Sequence, residues 1–184
     1  MGKKTIKKRI YEIATKAINE IYSPVAYMFT TPNDCGVSRE QMQAFLQYTR
    51  ELHKKDNKPF GYICTTEQTP HGFHYHGIAF VSDRNYGLPI RFGAMLKARW
   101  RSDFPESKPI WVTNEQFRLC SQLESFLVRA NYLDKKPYYP DLEKNEKRYW
   151  SSSKFYFGLP ETTLTPEDSC LGDSRFDFVC AEAA

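Results

Sequence analysis

The chain has 184 residues, 41% of them hydrophobic and 15% aromatic, with a net charge of +4. That is apolar material for one packed domain and excludes a wholly disordered chain. No stretch approaches the ~20 apolar residues of a membrane helix. The charged start, Met1-Gly2-Lys3-Lys4, has no apolar segment behind it, so a secretory signal is not expected.

Five cysteines (Cys35, Cys64, Cys120, Cys170 and Cys180) are widely spaced and form no C-x-x-C pair. Reduced thiols in a cytoplasmic protein are expected, rather than a disulfide framework or a structural zinc site. Charge is uneven. Residues 160–184 hold one basic residue, Arg175, and six acidic ones, which leaves +9 on residues 1–159. The reading is a basic domain over 1–159 that attracts a polyanion, followed by an acidic tail over 160–184.

In chain order, residues 3–22 predict an amphipathic helix with the apolar stripe Ile6, Ile10, Ile13, Ala17 and Ile21, stopped by Pro24. Val25–Thr31 predicts a buried strand that ends at the turn cluster Pro32-Asn33-Asp34. Ser38 with Gln41 makes a capping box for a helix reaching about Lys54. Phe60–Glu67 and Phe73–Val81 predict two strands joined by the turn Thr69-Pro70-His71-Gly72, an antiparallel hairpin. A helix over Leu88–Phe104, a short strand over Pro109–Thr113 and a helix over Asn114–Lys135 follow. Beyond 140 the chain is polar and aromatic, and Phe176, Phe178 and Val179 alternate like a short strand. Mixed strands and helices around a hairpin point to an α+β fold on an antiparallel sheet.

His74 and His76 sit two apart in the strongest strand, so their side chains leave the same face and can converge on one metal ion. If the hairpin closes with Glu67 opposite either histidine, its carboxylate joins them, whereas a one-residue slip turns it away. His71 in the turn is the rival third ligand. A nitrogen–oxygen set with open positions suits Mg²⁺ or Mn²⁺. A histidine-triad hydrolase would need a further histidine where the chain has Ile78.

A second constellation is Arg129-Ala130-Asn131-Tyr132-Leu133-Asp134-Lys135-Lys136. On a continuous helix, Lys135 and Lys136 neighbour Tyr132. A nearby ammonium favours phenolate and a charged phosphoryl transition state. Tyr138 and Tyr139 are alternative nucleophiles. Lys97, Arg99 and Arg101 on the middle helix, with Arg129, are candidate DNA phosphate contacts.

Together the segments Tyr27-Met28-Phe29-Thr30-Thr31, Gly72-Phe73-His74-Tyr75-His76-Gly77 and Tyr132-Leu133-Asp134-Lys135-Lys136 resemble, in that order, the HUH endonuclease superfamily. The pattern is a strand ending in Thr, then His-apolar-His, then a helix with Tyr-x-x-Lys or Tyr-x-x-x-Lys. Gly72–Gly77 and Tyr132–Lys135 look like the corresponding segments of rolling-circle replication initiators of bacteria and filamentous phages, with Asp134 departing from their usual alanine. The resemblance covers residues 25–136. It implies a ferredoxin-like (RRM-like) palm and a divalent ion, Mg²⁺ or Mn²⁺, held by His74, His76 and a third polar residue. It further implies attack by Tyr132 on a phosphate of single-stranded origin DNA, hairpin-associated, giving a 5′-phosphotyrosyl link and a free 3′-hydroxyl. A host helicase and polymerase are further partners that such a role implies, since the chain carries no Walker A sequence. Two rivals remain at this level: a single-tyrosine transposase of the same superfamily, and a non-catalytic nucleic-acid-binding protein stacking bases on exposed aromatics such as Tyr62 and Tyr75.

Overall fold

The computed structural model describes residues 6–69, 72–85, 89–134 and 150–152. Its elements run α1 (Ile6–Glu20), β1 (Pro24–Thr30), α2 (Arg39–Lys55), β2 (Phe60–Thr69), β3 (Gly72–Ser82), α3 (Pro89–Asp103), β4 (Trp111–Arg118), α4 (Leu119–Ala130) and β5 (Trp150–Ser152). A 3-10 turn, Asn131–Asp134, continues from α4. The five strands form one sheet in the order β4-β1-β3-β2-β5, and every neighbouring pair is antiparallel. The run β1-α2-β2-β3-α3-β4 with β1 and β3 central is the ferredoxin-like arrangement, so the α+β expectation holds.

The sheet is covered on both sides. Tyr27, Phe29, Tyr62, Tyr75 and Ala79 pack on one side with Phe45 of α2 and Phe92, Leu96 and Trp100 of α3. Ala26, Ile63, Ile78 and Phe80 pack on the other with Ile10, Ile13 and Ala17 of α1 and Phe126 and Ala130 of α4. Alternate strand residues feed alternate layers, which is why the sheet's central strands read as nearly continuous apolar runs.

Local signals explain most boundaries. The Ser38 side chain accepts from the Gln41 backbone N–H while the Gln41 side chain accepts from the Ser38 N–H, a complete capping box. Gly72 opens β3 at a φ of +128°, a conformation that glycine takes without a Cβ penalty.

One prediction fails. Asn114–Arg118 is strand, not helix: Gln116, Phe117 and Arg118 pair with Tyr27, Ala26 and Val25 of β1 past a register shift between Tyr27 and Phe29. The gain from extending the sheet outweighs a helical pattern shared by Phe117, Leu123 and Phe126. The helix starts only at Leu119, where the Gln122 side chain accepts the Arg118 N–H at 2.9 Å. It ends at Ala130, so Tyr132 lies in the 3-10 turn rather than in an α-helix. The short edge strand β5 was not expected. The alternating segment Phe176–Val179 lies outside the described residues.

Candidate metal centre

The hairpin register decides the site. Glu67 is the direct partner of His74, and Thr65 is that of His76. Glu67, His74 and His76 therefore leave the same side of the sheet. By strand parity this is the side of Ile78 and Phe80, covered by α1 and α4. Candidate ligand atoms from Glu67, His74 and His76 lie within 4.8 Å of one another. The two imidazoles meet edge to face, their centroids 4.2 Å apart.

The chemistry of the three groups fits a divalent cation. His74 Nδ1 is buried and has no hydrogen-bond partner among the described residues, an arrangement that costs free energy unless something else satisfies the atom. Burial, then the neighbouring His74, pushes His76 down to about 4. His76 is therefore a neutral imidazole at neutral pH, the form that ligates metals. Its Nε2 stands 3.8 Å from Glu67 Oε2, too far for a hydrogen bond. Because the ring is neutral, this is not an ion pair. The His76 and Glu67 side chains are 14% and 31% exposed, so the group is sheltered yet reachable from solvent.

Thr30, the last residue of β1, faces His76 in register, and its Oγ1 lies 3.1 Å from His76 Nδ1. The sequence shows only that a strand ends there in threonine. On the outer side, Trp111 of β4 is the register partner of Thr30 and is 56% exposed. One row across the sheet thus runs Trp111, Thr30, His76, Thr65. Neither Thr30 nor Trp111 was a sequence candidate, because both placements depend on pairings between distant strands.

The other predicted site residues separate. β4 begins at the Thr30 end of the sheet and ends at the Val25 end. α4, kinked at Gln122, then packs on the side of Ile78 and Phe80 through Phe126 and Ala130. The turn holding Tyr132 follows α4 directly and packs against α1. Its Leu133 is buried in the same layer. Arg129 is exposed in the last turn of α4. Lys135, Lys136, His71, Tyr138 and Tyr139 lie outside the described residues.

Lys97, Arg99 and Arg101 belong to α3, whose core residues pack on the opposite side of the sheet. The fold does not bring them to the histidines. Arg99 is committed locally: it pairs with Asp103 at 2.9 Å and lies 4.1 Å from the Tyr48 ring centroid. Tyr62 and Tyr75, considered as base-stacking residues, are 5% and 0% exposed. Both face the α2–α3 layer, and the Tyr75 hydroxyl donates to the Val37 carbonyl. Neither can stack on a base in this fold.

No helix among the described residues is long and apolar enough to cross a membrane. No family model, curated protein or solved structure matches the chain.

Proposed function

We propose that the chain is a metal-dependent endonuclease that nicks single-stranded DNA through Tyr132 and begins rolling-circle replication. The observation that supports this most is the meeting of Glu67, His74 and His76 on the side of the sheet covered by α1 and α4, the layer in which Leu133 of the Tyr132 turn is buried. A bound Mg²⁺ or Mn²⁺ would polarise a phosphoryl oxygen of the DNA.

The chain supplies the rest. The Tyr132 phenolic oxygen bonds to phosphorus as the bond from phosphorus to the 3′ oxygen breaks. The phenol proton leaves to solvent, and the departing 3′ oxygen takes one up. The products are a 5′-phosphotyrosyl bond and a free 3′-hydroxyl that primes synthesis. The covalent bond keeps the phosphodiester energy, so a later transfer reseals the strand without ATP. Lys136 or Lys135 offsets charge on the transferring phosphate.

The basic body, +9 over residues 1–159, attracts the DNA. Arg129 and Trp111 are exposed and available to DNA, and Trp111 offers a flat face for a base. The α3 cations act as a general attractive field rather than as contacts at the cleaved phosphate. Tyr62 and Tyr75 are buried and take no part in contacting DNA.

The test uses the full chain and a pool of randomised single-stranded oligonucleotides. Cleavage on a denaturing gel should require Mn²⁺ or Mg²⁺, stop with EDTA, and disappear in His74→Ala and His76→Ala. Cleavage that persists in EDTA would refute the proposal.

A further inference from the structure

We propose that Thr30 is a positioning residue for the metal centre: it holds His76 in the tautomer that carries its proton on Nδ1 and leaves the Nε2 lone pair for the cation. This inference rests on the metal-centre reading above.

The hydrogen-bond geometry carries it. Thr30 Oγ1 lies 3.0 Å from the Tyr75 carbonyl oxygen and 3.1 Å from His76 Nδ1. A hydroxyl has one proton to give and two lone pairs to offer. A carbonyl can only accept, so the bond to Tyr75 takes the hydroxyl proton. Oγ1 then presents a lone pair to the imidazole, and Nδ1 must be the donor. The relay runs from His76 Nδ1–H to Thr30 Oγ1–H to the Tyr75 carbonyl. Nε2 is left unprotonated, and it is the nitrogen that stands 3.8 Å from Glu67 Oε2.

The opposite tautomer is poorer on both sides of the ring. It would aim an Nε2–H at Glu67 across 3.8 Å, beyond hydrogen-bond reach. It would also turn the Thr30 proton away from Tyr75. A ligating histidine has its tautomer set by the hydrogen bond its other nitrogen makes, and Thr30 supplies that bond.

The neighbouring threonine keeps the frame in place. Thr31 is fully buried; its backbone N–H donates to the Tyr75 carbonyl and its Oγ1 accepts the Tyr75 N–H, each at 3.0 Å. Consecutive threonines at the end of β1 thus divide the work. Thr31 clamps β3 at Tyr75, and Thr30 orients the next residue's ring.

The test reads the tautomer and the affinity separately, on the full chain at pH 7.5. Nitrogen-15 NMR of the metal-free protein should show the His76 proton on Nδ1 in the wild type and a shift toward Nε2 in Thr30→Val. Calorimetric titration with MnCl₂ should show binding weakened about 10–100-fold in Thr30→Val, with Thr30→Ser within a few-fold of wild type. A wild-type proton on Nε2, or equal Mn²⁺ affinity in Thr30→Val, would overturn the inference. Wild-type protein that takes up no Mn²⁺ would instead overturn the metal-centre reading, and the wild-type NMR measurement, which needs no metal, separates the two failures.

Discussion

Glu67 and His74 face each other directly across the β2–β3 hairpin, and this single pairing joins a carboxylate to two spaced histidines in a group of three candidate ligands. A slip of one residue would send the Glu67 side chain to the α2–α3 side. Glu67→Gln keeps the shape and removes the negative charge. It should weaken Mn²⁺ binding at least tenfold while the metal-free protein unfolds at an unchanged urea concentration. Unchanged Mn²⁺ affinity would remove Glu67 from the ligand set.

Gly77 follows the histidine pair for a packing reason. A methyl group built on it would overlap the Phe29 ring, and Phe29 is the register partner of Gly77 on β1. Gly77→Ala should therefore cost at least ~1–3 kcal/mol, the usual penalty for overpacking a core. Both residues hold the strands that carry Thr30 and His76, so metal affinity should fall as well. Equal urea midpoints for variant and wild type would show that Phe29 moves aside freely.

Metal-free protein should lose stability as pH falls. Burial lowers His53, whose Nδ1–H donates to the Thr49 carbonyl at 2.7 Å, and burial together with His74 lowers His76 to about 4. Each folded-state value lies below the unfolded value near 6.5. The unfolded chain therefore takes up protons that the folded chain refuses. The contribution is fully present above pH 6.5 and is lost as pH drops from 6.5 toward 4. For His76 it is on the order of 3 kcal/mol once both states are protonated. Urea midpoints at pH 7.5 and pH 5 should differ, and His76→Gln should shrink the difference. The same midpoint at both values in the wild type would contradict this.

Trp111 should matter for DNA and little for the fold. It is 56% exposed and shares the row of Thr30 and His76. Those two strand spacings put its backbone about 10 Å from that of His76. Trp111→Ala should weaken single-stranded DNA binding by ~1–3 kcal/mol, the range for losing one aromatic–base stack, with a near-unchanged urea midpoint. Fluorescence anisotropy with a labelled oligonucleotide measures it, and equal affinity would exclude stacking there.

Local chemistry made much of this legible in advance. The Ser38–Gln41 capping box, the Pro24 stop and Gly72 are short-range signals, and each marks an element boundary within a few residues. The histidine pair was readable because strand parity needs only neighbouring residues. What stayed hidden depends on long-range pairing. Asn114–Arg118 carries a pattern compatible with helix until β1 offers it an edge. The Thr30–His76 bond joins residues 46 apart, and nothing local to either specifies the register. The three residues of β5 are too few to announce a strand; they are held by the β2 edge and by Arg9 Nε donating to Ser152 Oγ. Tyr62 and Tyr75 do not present stacking faces because α2 and α3 cover that side of the sheet, which composition alone does not reveal.

The most direct test of the central claim is to locate the covalent bond. Full-length protein is incubated with Mn²⁺ and a randomised single-stranded DNA pool, digested with nuclease and protease, and searched by mass spectrometry for a nucleotide-bearing peptide. The account predicts one phosphotyrosyl peptide, carrying the nucleotide on Tyr132, and none from Tyr132→Phe, which lacks only the attacking oxygen and should bind DNA as well as the wild type does. A wild-type protein that forms no adduct, or a Tyr132→Phe protein that still forms one, for example on Tyr138 or Tyr139, would contradict it.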